Sequence, residues 1–156
     1  MGYLPNTSPL KDADFSTATI ITDVLDGFDP NKKYLINVFV DGSQGEDSRA
    51  SLTFVGGVTG DSFFLSANAS PTLATLSGLI IGSAIAGLPM MMRSVIYPRR
   101  CGISLAESFA VIDTPTLDGH IYISKSAFQG ALPSSINLVF TKAVSGHHTT
   151  EVLTAI

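Results

Sequence analysis

The sequence predicts an all-β fold: a β-sandwich or jelly-roll-like single domain with an extended N-terminal arm. Three observations carry that expectation. Apolar and polar residues alternate over short runs, the pattern of strands with one buried face. Turn-forming Gly, Pro, Asn and Asp interrupt those runs roughly every ten residues, as in sandwiches and barrels. Charged residues make up only 14% of the chain, against ~25% in ordinary soluble domains. Gly, Ser and Thr fill the gap, and they favour turns and strands over helices. A length of 156 residues suits one domain with a core large enough to need no staples.

The first sixteen residues, MGYLPNTSPLKDADFS, contain two prolines and few apolar side chains, and they read as an extended arm. They lack the basic and apolar regions of a signal peptide. Asn6-Thr7-Ser8 and Asn68-Ala69-Ser70 match the N-glycosylation acceptor pattern, which matters only in a secreted chain. Thr19 to Leu25 reads as a strand, closed by the turn chemistry of Asp26-Gly27-Phe28-Asp29-Pro30-Asn31. In Tyr34 to Val40, Tyr34, Ile36, Val38 and Val40 share one face, and Leu35, Asn37 and Phe39 share the other. Ser51 to Phe54 alternates again, with Leu52 and Phe54 inward. The polar loop Asp41 to Ser48 between these runs suggests a hairpin with a long tip.

From Ser62 to Met92 no charged side chain occurs. Three structures compete for residues 73–92. A membrane span has the required length of ~20 residues, but serines, Thr75, glycines and Pro89 dilute its hydrophobicity, and it would split a β-domain between two compartments. A buried helix from Leu73 to Ala86 would carry Gly78 and Gly82, each costing roughly 1 kcal/mol relative to Ala. Two strands, Leu79 to Ile85 and Met90 to Tyr97, joined through Ala86-Gly87-Leu88-Pro89, fit best. In the second, Met91, Arg93, Val95 and Tyr97 form one face and Met90, Met92, Ser94 and Ile96 the other. Neither face is polar throughout, the mark of a strand covered on both sides.

Ser108 to Ile112 and His120 to Ser124 are further strands, separated by a segment ending in the turn pair Asp118-Gly119. Ala127 to Ser135 reads as a connection and Ile136 to Thr141 as the last strand. The domain is expected at 17–145, between an arm at 1–16 and a tail at 146–156 that ends in Val152-Leu153-Thr154-Ala155-Ile156. Apolar ends of this kind dock on something, because otherwise they fray and expose apolar surface.

The chemistry-bearing residues form no catalytic, cofactor-binding or metal-binding set. Gly102-Ile103-Ser104-Leu105-Ala106 approaches a nucleophile elbow, but it ends in Ala and lacks the strand–turn–helix setting the elbow needs. Cys101 could pair with His147 or His148 as nucleophile and base, yet a cysteine between Arg100 and Gly102 reads as a small hydrophobe. As the only cysteine, it also excludes an internal disulfide. Adjacent histidines point to opposite sides of an extended chain, so His147, His148 and His120 do not compose a chelate. Asp23, Asp26 and Asp29, and the loop Asp41 to Asp47, lack calcium-loop spacing. A net charge of -4, with Lys32-Lys33 and Arg99-Arg100 the only basic doublets, argues against a nucleic-acid partner.

Scarce charge, strand–turn repetition, the arm at 1–16 and the end at 146–156 together resemble the head decoration (cement) proteins of tailed bacteriophages. The resemblance is one of composition and organisation across the whole chain. It implies a non-enzymatic virion protein, assembled in the host cytoplasm, that forms a dimer or trimer of itself and binds a major capsid protein through segments 1–16 and 146–156. Another virion β-sandwich, such as a tail-tube, tail-fibre or minor capsid protein, shares the same features. A carbohydrate-binding or adhesive sandwich would instead need an aromatic platform, for which Tyr34, Tyr97 and Tyr122 are the candidates.

Overall fold

The computed structural model describes residues 3–5, 9–27, 29–56, 59–66, 72–76, 78–100, 103–112, 121–129 and 133–155. Among them are eleven strands and no helix. In chain order the strands are β1 (Tyr3–Pro5), β2 (Lys11–Asp26), β3 (Lys33–Val40), β4 (Ser48–Val55), β5 (Thr59–Ser66) and β6 (Thr72–Leu76). They continue with β7 (Gly78–Ala84), β8 (Met90–Arg100), β9 (Ile103–Ile112), β10 (Ile121–Gln129) and β11 (Ser135–Ala155). The hydrogen-bonded path runs β6-β5-β10-β9-β8-β3-β11-β4-β7, with β1 and β2 attached to β11. Its two ends, β6 and β7, are consecutive in the chain with only residue 77 between them, so the ladder nearly closes on itself.

The all-β expectation holds, and the uncharged run resolves into strands. It supplies β5 from Ser62 onward, β6, β7 and the start of β8. No helix among the described residues is long and apolar enough to cross a membrane. Gly82 serves a purpose in this arrangement. Ala50 pairs with Gly82 but Ser51 pairs with Ile80, so Ile81 is an extra residue in a bulge, and glycine is at home beside one.

The organisation of the long strand β11 corrects two sequence expectations. Its first half, Ser135–Phe140, pairs with β4, and its second half, Gly146–Leu153, pairs with β3. Strands β3 and β4 therefore lie end to end along β11, and the expected hairpin between them does not form. A period-two pattern fixes which face a strand buries, not which strand it pairs with. The expected tail at 146–156 is likewise no tail, since residues 146–153 pair with β3 along one edge, while on the other edge residues 146–150 pair with β2 and 153–155 with β1. Its strand signal is weak because two of its inward residues, His148 and Thr150, are polar yet buried. The N-terminal boundary moves too: β2 begins at Lys11, inside the expected arm, and pairs with β11 at Thr150.

β11 bends between Phe140 and Gly146, and its neighbours bend or break at the same level. The 41–47 loop separates β3 from β4, residues 85–89 separate β7 from β8, and the register of β2 shifts around Ala18. This crease folds one ladder into two facing sheets. β7 consequently packs across the interior against β8, β9, β10 and β5.

Hydrogen bonds hold the crease. Ser48 Oγ donates to the Lys142 carbonyl at 2.9 Å and accepts from the Lys142 N–H at 3.0 Å. Buried Gln44 donates from Nε2 to the carbonyls of Ile85 (2.7 Å) and Leu88 (3.2 Å), and its backbone carbonyl accepts from the Gly87 N–H at 3.0 Å. Asp47 accepts from the Ala86 N–H at 2.9 Å. On β2, Thr17 and Asp23 adopt left-handed backbone angles (φ 48° and 52°) that such residues rarely occupy. Each is braced from β11: the Thr17 N–H donates to Ser145 Oγ at 2.9 Å, and the Asp23 N–H to Asn137 Oδ1 at 3.0 Å.

The core lies between the two sheets. Tyr34, Ile36, Val38, Val40, Met90, Met92 and Ile96 project from one side, and Leu52, Phe54, Leu79 and Ile81 from the other. Ile136, Leu138 and Phe140 of β11 join them. Thr150 escapes an unpaired burial by donating its hydroxyl to the Val24 carbonyl at 2.5 Å.

Gly146 sits where β11 passes closest to β3. A Cβ there would overlap the Phe39 carbonyl oxygen and lie 3.0 Å from the Phe15 ring. Gly146→Ala is therefore expected to destabilise the fold by about 3 kcal/mol. Gly45→Ala, whose Cβ would meet nothing within 4 Å, is expected to change stability by less than about 0.5 kcal/mol. Urea-unfolding midpoints compare the two; equal midpoints would refute the close approach at Gly146.

Candidate functional site

Cross-strand register arranges the residues of the large sheet in rows. One row on its outer face reads Asp14, His147, Phe39 and Met91, and the register continues it to positions 111 and 121. The adjacent row reads Asp12, Thr149, Asn37 and Arg93, continuing through position 109 to Ile123. On the inward side of the same strands, Val38 and Met92 are fully buried. Outward, Met91 is 60% exposed, Phe39 43% and Ile123 40%. Leu35, Val95 and Tyr97 on this face are half-buried. The sequence expects β8 to be covered on both sides, whereas within one chain only its inner face is covered.

Polar groups on this face bond along the rows. Asn37 donates to Thr149 Oγ1 at 3.2 Å and accepts from Arg93 Nε at 3.2 Å, linking β11, β3 and β8. The Lys33 ammonium lies over the Tyr97 ring, 5.2 Å from its centre, a cation–π contact. At the β2 border, His147 Nδ1 lies 2.8 Å from Asp14 Oδ1 and Nε2 lies 3.1 Å from Asp12 Oδ1. Both ring nitrogens face carboxylates, an arrangement that ties the strands together. Asp12 and Asp14 belong to no candidate set that the sequence suggests. Their spacing of two is legible, but the histidine opposite them is fixed by register alone.

The other sequence candidates do not converge. His148 points to the opposite side from His147, is buried, and stacks on Phe15 with ring centres 6.4 Å apart. Cys101 and His120 lie outside the described residues, as do the Asp118-Gly119 turn and both glycosylation asparagines. Ser104 is placed in β9, opposite Phe128. Asp29 accepts from the Asn31 N–H at 2.9 Å and faces Lys32 at 3.6 Å. The backbone bond, more than Lys32, holds its carboxyl below the usual range. Asp41 caps its own loop by accepting from the Ser43 N–H at 2.8 Å. These carboxylates do turn chemistry, and no group of three metal-ligating side chains occurs among the described residues.

The tyrosine platform does not form. Tyr34 is 2% exposed and accepts from the Asp29 N–H at 2.8 Å, on the face opposite Tyr97. The alternation of β3 assigns Tyr34 and Leu35 to opposite sides, so the Tyr34–Tyr97 pair could never be coplanar. No family model matches the chain, and no curated protein or solved structure matches it either.

His148 gives this region a pH dependence. Burial, and secondly the neighbouring His147 charge, hold its pKa below the ordinary 6.5. The folded state then binds fewer protons than the unfolded state just below that value, so stability falls as pH drops through it and levels off below the folded pKa. His148→Phe keeps a stackable ring and removes the proton. The urea midpoint of the wild type is expected to fall relative to this variant as pH drops below 6.5; parallel pH profiles would refute the assignment.

Proposed function

We propose that the protein is a non-enzymatic structural subunit of a virion, a capsid decoration (cement) protein that stabilises a phage head lattice. The observation that carries this reading is the outward face of the large sheet. It presents Met91, Phe39 and Ile123 to solvent on a chain whose charged fraction is only 14%. Large apolar side chains left exposed on one face serve contacts between proteins. The partners in this reading are copies of the chain itself and a major capsid protein.

The mode of attachment differs from the one the family resemblance implies. Residues 146–150 pair on both edges, with β2 and β3, and residues 153–155 pair with β1, so the segment cannot swing out to clamp a lattice without breaking the sheet. Attachment through the sheet face costs no such rupture. Strand addition along β2 is disfavoured as well. Lys11, Asp12, Asp14, Asp23 and Asp26 charge that edge, and the left-handed angles at Thr17 and Asp23 break its line. Both are recognised ways of blunting an edge.

Co-sedimentation tests the proposal. The full chain is mixed with undecorated phage heads and, in parallel, with tail tubes, and each is pelleted. Saturable recovery with heads, together with heads that withstand a higher temperature before rupture, is the expected result. Recovery with tail tubes alone would move the protein to the tail, and recovery with neither would reject a virion role.

A further inference from the structure

We infer that the first half of β2, residues 11–16, is an acid-released flap: a proton taken up by His148 parts it from β11 at a hinge beside Thr17, while the rest of the fold stays closed. The inference is independent of the virion reading.

His148 is 4% exposed and stacks on Phe15, which in turn packs on Phe140 with ring centres 5.8 Å apart. Its Nδ1 is buried without a hydrogen-bond partner. A neutral imidazole tolerates this, because one ring nitrogen carries no hydrogen. The imidazolium carries a hydrogen on both, so a donor and a charge would be buried uncompensated. The charges around it do not help. His147 beside it and Lys11 on β2 oppose the proton, and only Asp12 favours it. Asp12 already bonds His147 at 3.1 Å, as Asp14 does at 2.8 Å, and Lys11 bonds Asp26 at 3.1 Å. On the other side β3 places Val38 in register with His148, between Asn37 and Phe39, and none of these is charged. A proton on this ring therefore needs water.

Water is nearest through β2. No residue from 11 to 16 is buried, and β11 is the one partner of β2 among the described strands. At Thr17 the backbone turns left-handed (φ 48°), and the register with β11 shifts between Phe15 and Ala18. Beyond that point Val24 and Leu25 are fully buried and hold the second half of β2 in place. Before it, the described chain is attached only through β1, at residues 153–155. Opening on the β3 side would instead expose Val38 and Val40 of the core. The side-chain links that hold the flap, Lys11 to Asp26 and His147 to Asp12 and Asp14, lie between partly exposed groups. Such pairs contribute about 0–1 kcal/mol each. His147 faces its carboxylates in the closed form, so acid strengthens its contacts and opposes release. A charge confined in the core outweighs water-screened contacts of that size, and His148 decides the direction. Edge segments of this kind open at a fraction of the free energy of global unfolding.

Hydrogen exchange of the full chain, read by mass spectrometry at about pH 7.5 and about pH 5 and corrected for the intrinsic pH dependence of exchange, is the test. In the open form His148 regains its ordinary pKa of 6.5, while in the closed form burial holds it lower. Between those values the open form binds the extra proton, so its population grows as pH falls, by up to tenfold per pH unit. Protection of residues 11–16 is expected to fall roughly tenfold more than that of β3 or of residues 19–26. His148→Phe and His148→Leu, each checked for folding by circular dichroism, are expected to abolish the difference. Equal loss of protection in all three segments would overturn the flap in favour of global destabilisation, and unchanged protection would overturn it outright. The same selective loss in either folded variant would remove His148 as the cause and overturn the inference.

Discussion

The fold hangs on a single constraint: β11 must serve both sheets, and it can do so only by bending between Phe140 and Gly146. Twenty-one residues of straight strand would overrun a compact domain of this size. The bend is possible because a glycine stands where β11 presses against the Phe39 carbonyl. Around it, Ser48 takes over the backbone groups of Lys142 that the interrupted ladder leaves unpaired. Everything adjacent inherits the bend. β3 and β4 become one interrupted strand, β7 and β8 another, and the loops between them are stitched together through Gln44 and Asp47. Gly42, at φ 81°, is part of the same packing, since a Cβ there would lie 2.8 Å from the Pro89 nitrogen.

Folding a ladder at a crease has a consequence for the surface. It turns an extended sheet into two layers with a shared core while leaving few edges to defend. The β2 edge is blunted by charge and by left-handed kinks, and β6 and β7 nearly meet. What remains accessible is a face. That face carries its polar groups already bonded in rows, Thr149 to Asn37 to Arg93 and Asp12 and Asp14 to His147. Satisfied polar groups can be covered at lower cost than unsatisfied ones, because no donor or acceptor is stranded when water leaves. A face built this way suits reversible contact better than a patch of loose charges would.

How much of this is legible in the sequence follows from what alternation encodes. The fold class, the strand nature of 79–85 and 90–97, and the inward set of Tyr34, Ile36, Val38 and Val40 can all be read directly, because a period of two assigns faces. Partners cannot be read that way. Nothing in Tyr34–Val40 or Ser51–Phe54 says that both pair with residues 135–153, so the nearest alternative, a hairpin, looks natural. The second half of β11 is hidden for another reason. His148 and Thr150 occupy core positions, one stacked on Phe15 and the other bonded to the Val24 carbonyl. Each is acceptable inside only because of a partner near the other end of the chain. Asp12 and Asp14 are invisible as a pair for the same reason, since their histidine arrives through register.

The two faces of β8 carry the most information. By composition, Met91, Val95 and Tyr97 belong to a covered surface as much as Met90, Met92 and Ile96 do. The chain covers the second set with its own β7 layer and leaves Met91 largely in water. Alternation assigns these residues to two faces but is silent about whether the cover comes from the same molecule. A strand apolar on both sides in a two-layer fold has one face more than its own chain can bury. The scarcity of charge along 62–92 has the same cause. From Leu79 onward its inward residues fill the core, and the outward residues at its end, where β8 begins, form a surface whose polar neighbours are already paired with one another. Removing that surface from water requires a partner that covers Met91 and Phe39 without stranding the bonded row of Thr149, Asn37 and Arg93.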